Sequence, residues 1–147
     1  MKIKDYLDTD EVRYFTSKSD LLGARTVLVT WLSIWLLFAA VDAWTNPLTI
    51  VLALILLAGR QLALAVIVHE AGHHTLFRTE ALNQFCGQWL AAKPVFSDMY
   101  SYSRDHARHH RLAGTQEDPD LGNYRAYPVS RDSFHRKMTR EIGRAHV

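Results

Sequence analysis

The sequence predicts an all-α integral membrane protein, a two-helix transmembrane hairpin extending into cytosolic or interfacial helices that carry two clusters of histidine. Three observations predict it. Two apolar runs lie close together, from Thr26 to Ala43 and from Leu48 to Val68. Between Thr26 and Gly59 the only charged side chain is Asp42. Six of the eight histidines fall in two short stretches, HEAGHH at 69–74 and HARHH at 106–110.

A length of 147 residues fits one domain. With 17 basic against 15 acidic residues the formal charge is +2, which gives no basic face for nucleic acid and excludes that class of partner. Ordinary apolar content excludes a disordered tail, and a single cysteine, Cys86, excludes a disulfide scaffold.

The first twenty residues mix charges of both signs and lack the basic start and short apolar core of a secretory signal. They read as a surface segment with Tyr14 and Phe15 dipped into the bilayer. Thr26–Ala43 then spans about 27 Å as a helix, close to the ~30 Å hydrocarbon core. Trp44 is placed at the interface, and Pro47 suits the first position of the next helix. The second run is interrupted by Arg60 and Gln61, and an arginine at mid-bilayer costs roughly 2.5–3.5 kcal/mol. It is expected to snorkel toward headgroups or to face protein. Ala81–Val95 is too short and too polar to cross, and reads as an interfacial or re-entrant helix ended by Pro94. The residues after Leu121 read as a polar surface region.

Lys2, Lys4, Arg13, Lys18 and Arg25 precede the first span, the turn between spans holds no basic residue, and Arg78, Lys93, Arg104, Arg108 and Arg111 follow the second. By the positive-inside rule the N-terminus and both histidine clusters are cytoplasmic, and Cys86 is expected to react with impermeant thiol reagents from that side.

On a helix, His69 and His73 lie four residues apart on one face with His74 on the flank, and His106, His109 and His110 share one side of a turn. Neutral imidazole binds zinc, iron, copper and nickel. Six nitrogens exceed what one zinc ion takes, so two metal ions are expected, and without a nearby thiolate iron is the natural redox pair. Lone His135 and His146 read as surface residues. Asp105, Asp118 and Asp120 read either as carboxylates that orient ligating imidazoles or as solvated acids around the Pro119 turn. Trp89, Tyr100 and Tyr102 read as interfacial anchors or as contacts for a lipid chain.

HEAGHH and HARHH resemble the first two histidine boxes, H-x-x-x-H(H) and H-x-x-H-H, of the membrane fatty acid desaturases, and the similarity extends through RQLALAVIVHEAGHHTLFRTEALNQFCGQWLA and EDPDL. The resemblance implies the first half of a four-span desaturase fold. It also implies a di-iron enzyme that uses O2 and two electrons to remove hydrogens from an acyl chain, with His69, His73, His74, His106, His109 and His110 as iron ligands. The partners implied are a lipid or acyl substrate and an electron donor such as ferredoxin or a cytochrome b5-type protein. The family's third box, which follows two further membrane helices, has no counterpart here, so this chain is expected to be an N-terminal fragment of a single desaturase domain, inactive alone. Its last six residues, IGRAHV, are what ATC GGA AGA GCA CAC GTC encodes, the frame of a common short-read sequencing adapter with a stop next. Residues 142–147 are therefore expected to be adapter translation.

Three alternatives remain open on the sequence. HEAGH also fits H-E-x-x-H, the zinc metallopeptidase motif in which Glu70 is the general base, although that reading leaves the second cluster without a role. A lipid or carotenoid hydroxylase can use the same scaffold. A metal carrier would need ligands within the spans, where only Asp42, Arg60 and Gln61 stand out.

Overall fold

The computed structural model describes residues 6–124 and 129–144, with side chains described through residue 139. Lys2, Lys4 and His146 lie outside the described residues, and of the IGRAHV segment only the backbone of 142–144 is described. Every regular element among the described residues is helical. The chain forms two compact units, Met1–Arg104 and Asp105–Val147.

In the first unit, α1 (Thr9–Thr16) opens on a capping box. Asp8 Oδ1 accepts the Asp10 and Glu11 N–H groups, and Glu11 Oε2 accepts the Asp8 N–H, so orphan amides at the helix start are satisfied. Tyr14 and Phe15 are exposed at its end.

Helix α2 (Asp20–Ala43) begins six residues before the apolar run, because Ser19 accepts the Leu22 N–H and no proline intervenes. Asp20 is itself fixed by Thr79, whose N–H and hydroxyl both donate to its carboxylate at 2.8 Å. Helix α3 (Pro47–Gly72) starts as its sequence predicts, with Asn46 accepting the Thr49 N–H and Pro47 in the first turn. It runs four residues beyond Val68 and so carries His69 and Glu70 on regular helix. Both helices are long and apolar enough to cross a membrane, and they pack against each other. Leu28, Leu36, Phe38, Leu54, Ile55 and Leu62 are more than half exposed, an apolar surface suited to lipid rather than water.

The segment 80–95 is not one interfacial α-helix. It begins as α4 (Glu80–Phe85), widens into a π-helix over Cys86–Ala92 and tightens to a 3₁₀ turn at Lys93–Val95. It packs along α3 and buries Ala91 and Ala92 completely. Short π-helical stretches appear mostly as single-turn bulges within α-helices. Here the Leu90 carbonyl accepts the Trp31 indole N–H at 3.0 Å. A Cβ on Gly87 would run into Met99 Sδ and the Ala71 methyl, so this glycine permits the approach of the π-helix to both. Cys86 is buried beside it, and burial pushes its thiol up, so the expectation that it labels readily is corrected.

The loop after α3 is held by Asn83, which is almost wholly buried. Its Oδ1 accepts the Phe77 N–H and its Nδ2 donates to the Phe77 carbonyl, both at 2.9 Å. The Phe77 ring is buried with it, against Gly23 of α2, where any Cβ would strike the ring and the Leu76 carbonyl.

Helix α5 (Met99–Leu112) is started by Asp98, whose carboxylate accepts the Ser101 N–H at 2.9 Å. Gln88 reaches from the π-helix to the same place, its Oε1 accepting the Met99 N–H and its Nε2 donating to Asp98. The second unit contains the rest of α5, ended near Gly114 at φ +82°, then α6 (Leu121–Tyr124) and α7 (Arg131–Arg144). Lys137 of α7 donates to the Asn123 carbonyl at 3.1 Å.

Candidate metal centre

In the first unit the His69 and His73 rings lie 4.6 Å apart between centroids, as four-residue spacing at a helix end dictates. The helix stops at Gly72, His73 caps it, and His74 takes left-handed backbone at φ +59°. Histidine is among the side chains that visit this region more readily. The turn sends His74 to Glu80, with Nδ1 at 2.8 and 2.9 Å from the two carboxylate oxygens. The structure thus brings His69 and His73 together and sets His74 on a carboxylate.

Tyr102 on α5 places its hydroxyl 3.0 Å from His69 Nδ1. The sequence reading assigned this tyrosine to lipid or to interfacial anchoring. The signal that was available is its spacing of four before His106 on one helix face. Glu70 points elsewhere, its Oε2 accepting the Thr75 hydroxyl at 2.6 Å.

In the second unit His106, His109 and His110 gather as their spacing predicts, with ring centroids 4.4 to 5.9 Å apart. His106 Nε2 and His110 Nε2 are 3.0 Å apart. Two nitrogens each about 2.1 Å from one ion in neighbouring positions take about this spacing.

His109 Nδ1 donates to Asp118 Oδ1 at 2.8 Å, and Asp120 stands 3.5 Å away. The Asp118 side chain has no solvent exposure and also accepts a short hydrogen bond from the Tyr124 hydroxyl and one from the Asp120 N–H. Burial pushes this carboxyl up, but the hydrogen bonds from Tyr124, His109 and Asp120 outweigh it and hold the group at about 2. Asp118 in turn raises His109, against the effect of burial, and raises Tyr124. A carboxylate on one imidazole nitrogen fixes the tautomer and turns the other toward a metal. Of the two readings open for Asp118 the structure supports orientation of an imidazole. Tyr124, within the presumed polar surface, went unnoticed because nothing in sequence marks a tyrosine six residues after an aspartate.

Long apolar helices followed by grouped imidazoles with hydrogen-bonded carboxylates are features of a membrane protein whose histidines could hold a metal ion. The chain belongs to the fatty acid desaturase family, whose model matches residues 45–146, a range that contains both histidine clusters. It is also similar to the beta-carotene ketolase of Paracoccus sp. (strain PC1), at 36% identity over 107 residues covering 66% of this chain. The chain spans 41% of the length of that relative. No solved structure matches it.

Proposed function

We propose that this chain is the N-terminal part of an O2-dependent membrane di-iron oxygenase that oxidises unactivated C–H bonds of a lipid-phase hydrocarbon, with acyl-chain desaturation as the leading reaction. The proposed ligands are His69, His73, His74, His106, His109 and His110. The observation that carries the reading is the Asp118–His109 pair, because a buried carboxylate locked onto one imidazole nitrogen serves a metal ligand and has little value on a solvated helix.

The donor set of neutral nitrogens without thiolate fits iron in a redox role. Iron there would supply the two-electron reduction of O2. Desaturation consumes O2, two electrons and two protons and yields two waters with the double bond. The chain's own residues then have defined work. Tyr102 and Asp118 fix the orientation of His69 and His109, the apolar faces of α2 and α3 admit a substrate from the lipid, and the histidines stand on the cytoplasmic side, open to an electron donor such as ferredoxin or a cytochrome b5-type protein.

A second reading has support of its own. The similarity to a carotenoid ketolase favours oxygenation of a carotenoid-type hydrocarbon on the same scaffold. The peptidase reading has lost its ground, since the family match covers both clusters and Glu70 is engaged by Thr75. The test is metal analysis and product analysis of the full-length protein, supplied in turn with fatty acyl lipids and β-carotene. Two irons per chain and loss of product on changing any of His69, His73, His106, His109 or His110 to alanine are expected, with Glu70→Ala mild. One zinc per chain, or abolition of activity by Glu70→Ala, would refute it.

A further inference from the structure

We propose that Arg60 and the grooves beside it form a binding site for an anionic diacyl phospholipid. The proposal rests on α2 and α3 facing lipid and is independent of the metal centre. Arg60 is partly buried and makes no hydrogen bond or ion pair with any described residue. It lies about 20 Å along α3, within the length that faces a ~30 Å hydrocarbon core. An uncompensated guanidinium there costs free energy, and a counter-anion removes that cost.

The space around it is shaped for chains. On one side a groove of about 400 Å³ runs between the two long helices, walled by Leu36, Leu37, Ile55 and Leu56 and left open by Gly59, on which a Cβ would touch nothing. On the other, a groove of about 220 Å³ is lined by Ile34, Leu57, Leu64 and Val95, with Gln61 at its edge. Arg60 belongs to both. Phe96, which lines the second groove, is fully exposed and sits at φ +57°, an unusual backbone for a bulky residue, so that its ring can meet an acyl chain and no protein. Lys93 is already paired with Asp98 at 3.3 Å, which leaves Arg60 as the cation of these grooves for a ligand. One cation between two apolar grooves matches one phosphodiester carrying two chains, as basic pockets between membrane helices do.

The test is thermal unfolding of the detergent-purified full chain with added phosphatidylglycerol, phosphatidylcholine or glycerophosphate. Ligand binding to the folded state raises the midpoint. Phosphatidylglycerol should bind measurably more tightly than phosphatidylcholine, because only its headgroup brings a net negative charge to the Arg60 guanidinium, and glycerophosphate should be inert. Arg60→Gln should bring that ratio to about one, and Arg60→Lys should keep part of it. Equal responses to both lipids, a response to glycerophosphate, no response to any lipid, or an unchanged preference in Arg60→Gln would overturn the site. An acidic side chain from a longer chain, were it the partner of Arg60, would give that last pattern together with destabilisation in every lipid. If Arg60→Gln does not fold, lipids co-purifying with the wild type decide: enrichment of phosphatidylglycerol supports the site, and bulk proportions overturn it. A chain that stays in water without detergent would refute the membrane reading itself.

Discussion

At the scale of single residues, the second histidine cluster is organised by one carboxylate. Asp118 receives His109, Tyr124 and the Asp120 amide at once, so the imidazole is oriented by a group that is itself held in place. Asp118→Asn keeps the shape but replaces the anion with an amide that can neither hold His109 as firmly nor accept all three donors. Loss of such a partner typically costs 10- to 100-fold in metal affinity. Iron retention against a chelator in the full-length protein should therefore fall by about that factor, while Asp120→Asn, whose carboxylate is half exposed and 3.5 Å from His109, should change it little. The imidazoles themselves were legible in the sequence because three- and four-residue spacings map onto one helix face. Tyr102 left a trace in its spacing of four before His106, whereas Tyr124 and the turn of His74 toward Glu80 left none, since each depends on where a loop or a following helix arrives.

At the scale of elements, the packing of 80–95 is where sequence reasoning fell furthest short. Helices α2 and α3 announce themselves by apolar runs and by Ser19, Asn46 and Pro47 at their starts. A π-helix has no such mark, and Ala91 and Ala92 look alike whether buried or exposed. Its fit depends on Gly87. Gly87→Val should destabilise the protein by about 1–3 kcal/mol, the usual cost of overpacking, seen as a lower midpoint in detergent, whereas Gly59→Ala, with open space around it, should not. Asp98 makes the start of α5 sensitive to acid. The Gln88 amide, the Ser101 N–H and Lys93 hold its carboxyl down at about 2, below the usual ~3.9. A depressed carboxyl stabilises the fold fully above its unfolded value, so this contribution is present above about pH 4 and disappears as pH falls toward 2. Thermal melts between pH 5 and 3 should show a smaller decline for Asp98→Asn than for wild type.

At the scale of the whole molecule, the all-helical class and the two helices long and apolar enough to cross a membrane were readable from hydropathy, because a membrane imposes length and composition on whatever crosses it. Which side each end faces is a separate matter, set by basic residues that flank the spans. Cys86 is too buried to report it. Cysteines introduced at Thr45, in the turn between α2 and α3, and at Gln116, beyond α5, should give opposite results with an impermeant thiol reagent. Thr45→Cys is expected to label in intact cells and Gln116→Cys only in inside-out vesicles. The reverse pattern would invert the protein, and labelling of both from one side would mean that α2 and α3 do not form a membrane-crossing pair.

The Asn83 side chain closes both polar groups of Phe77 across a separation of only six residues. Loops this short close in well under a microsecond, far faster than a ribosome adds residues at roughly 5–20 per second. His106 follows Asn83 by 23 positions, a delay of about one to five seconds during synthesis. The turn that carries His73 and His74 can thus be set before the second group of imidazoles leaves the ribosome. An Asn83→Ala chain should lose this early order, and its nascent form should become sensitive to protease between residues 73 and 83 while the helices on either side remain intact.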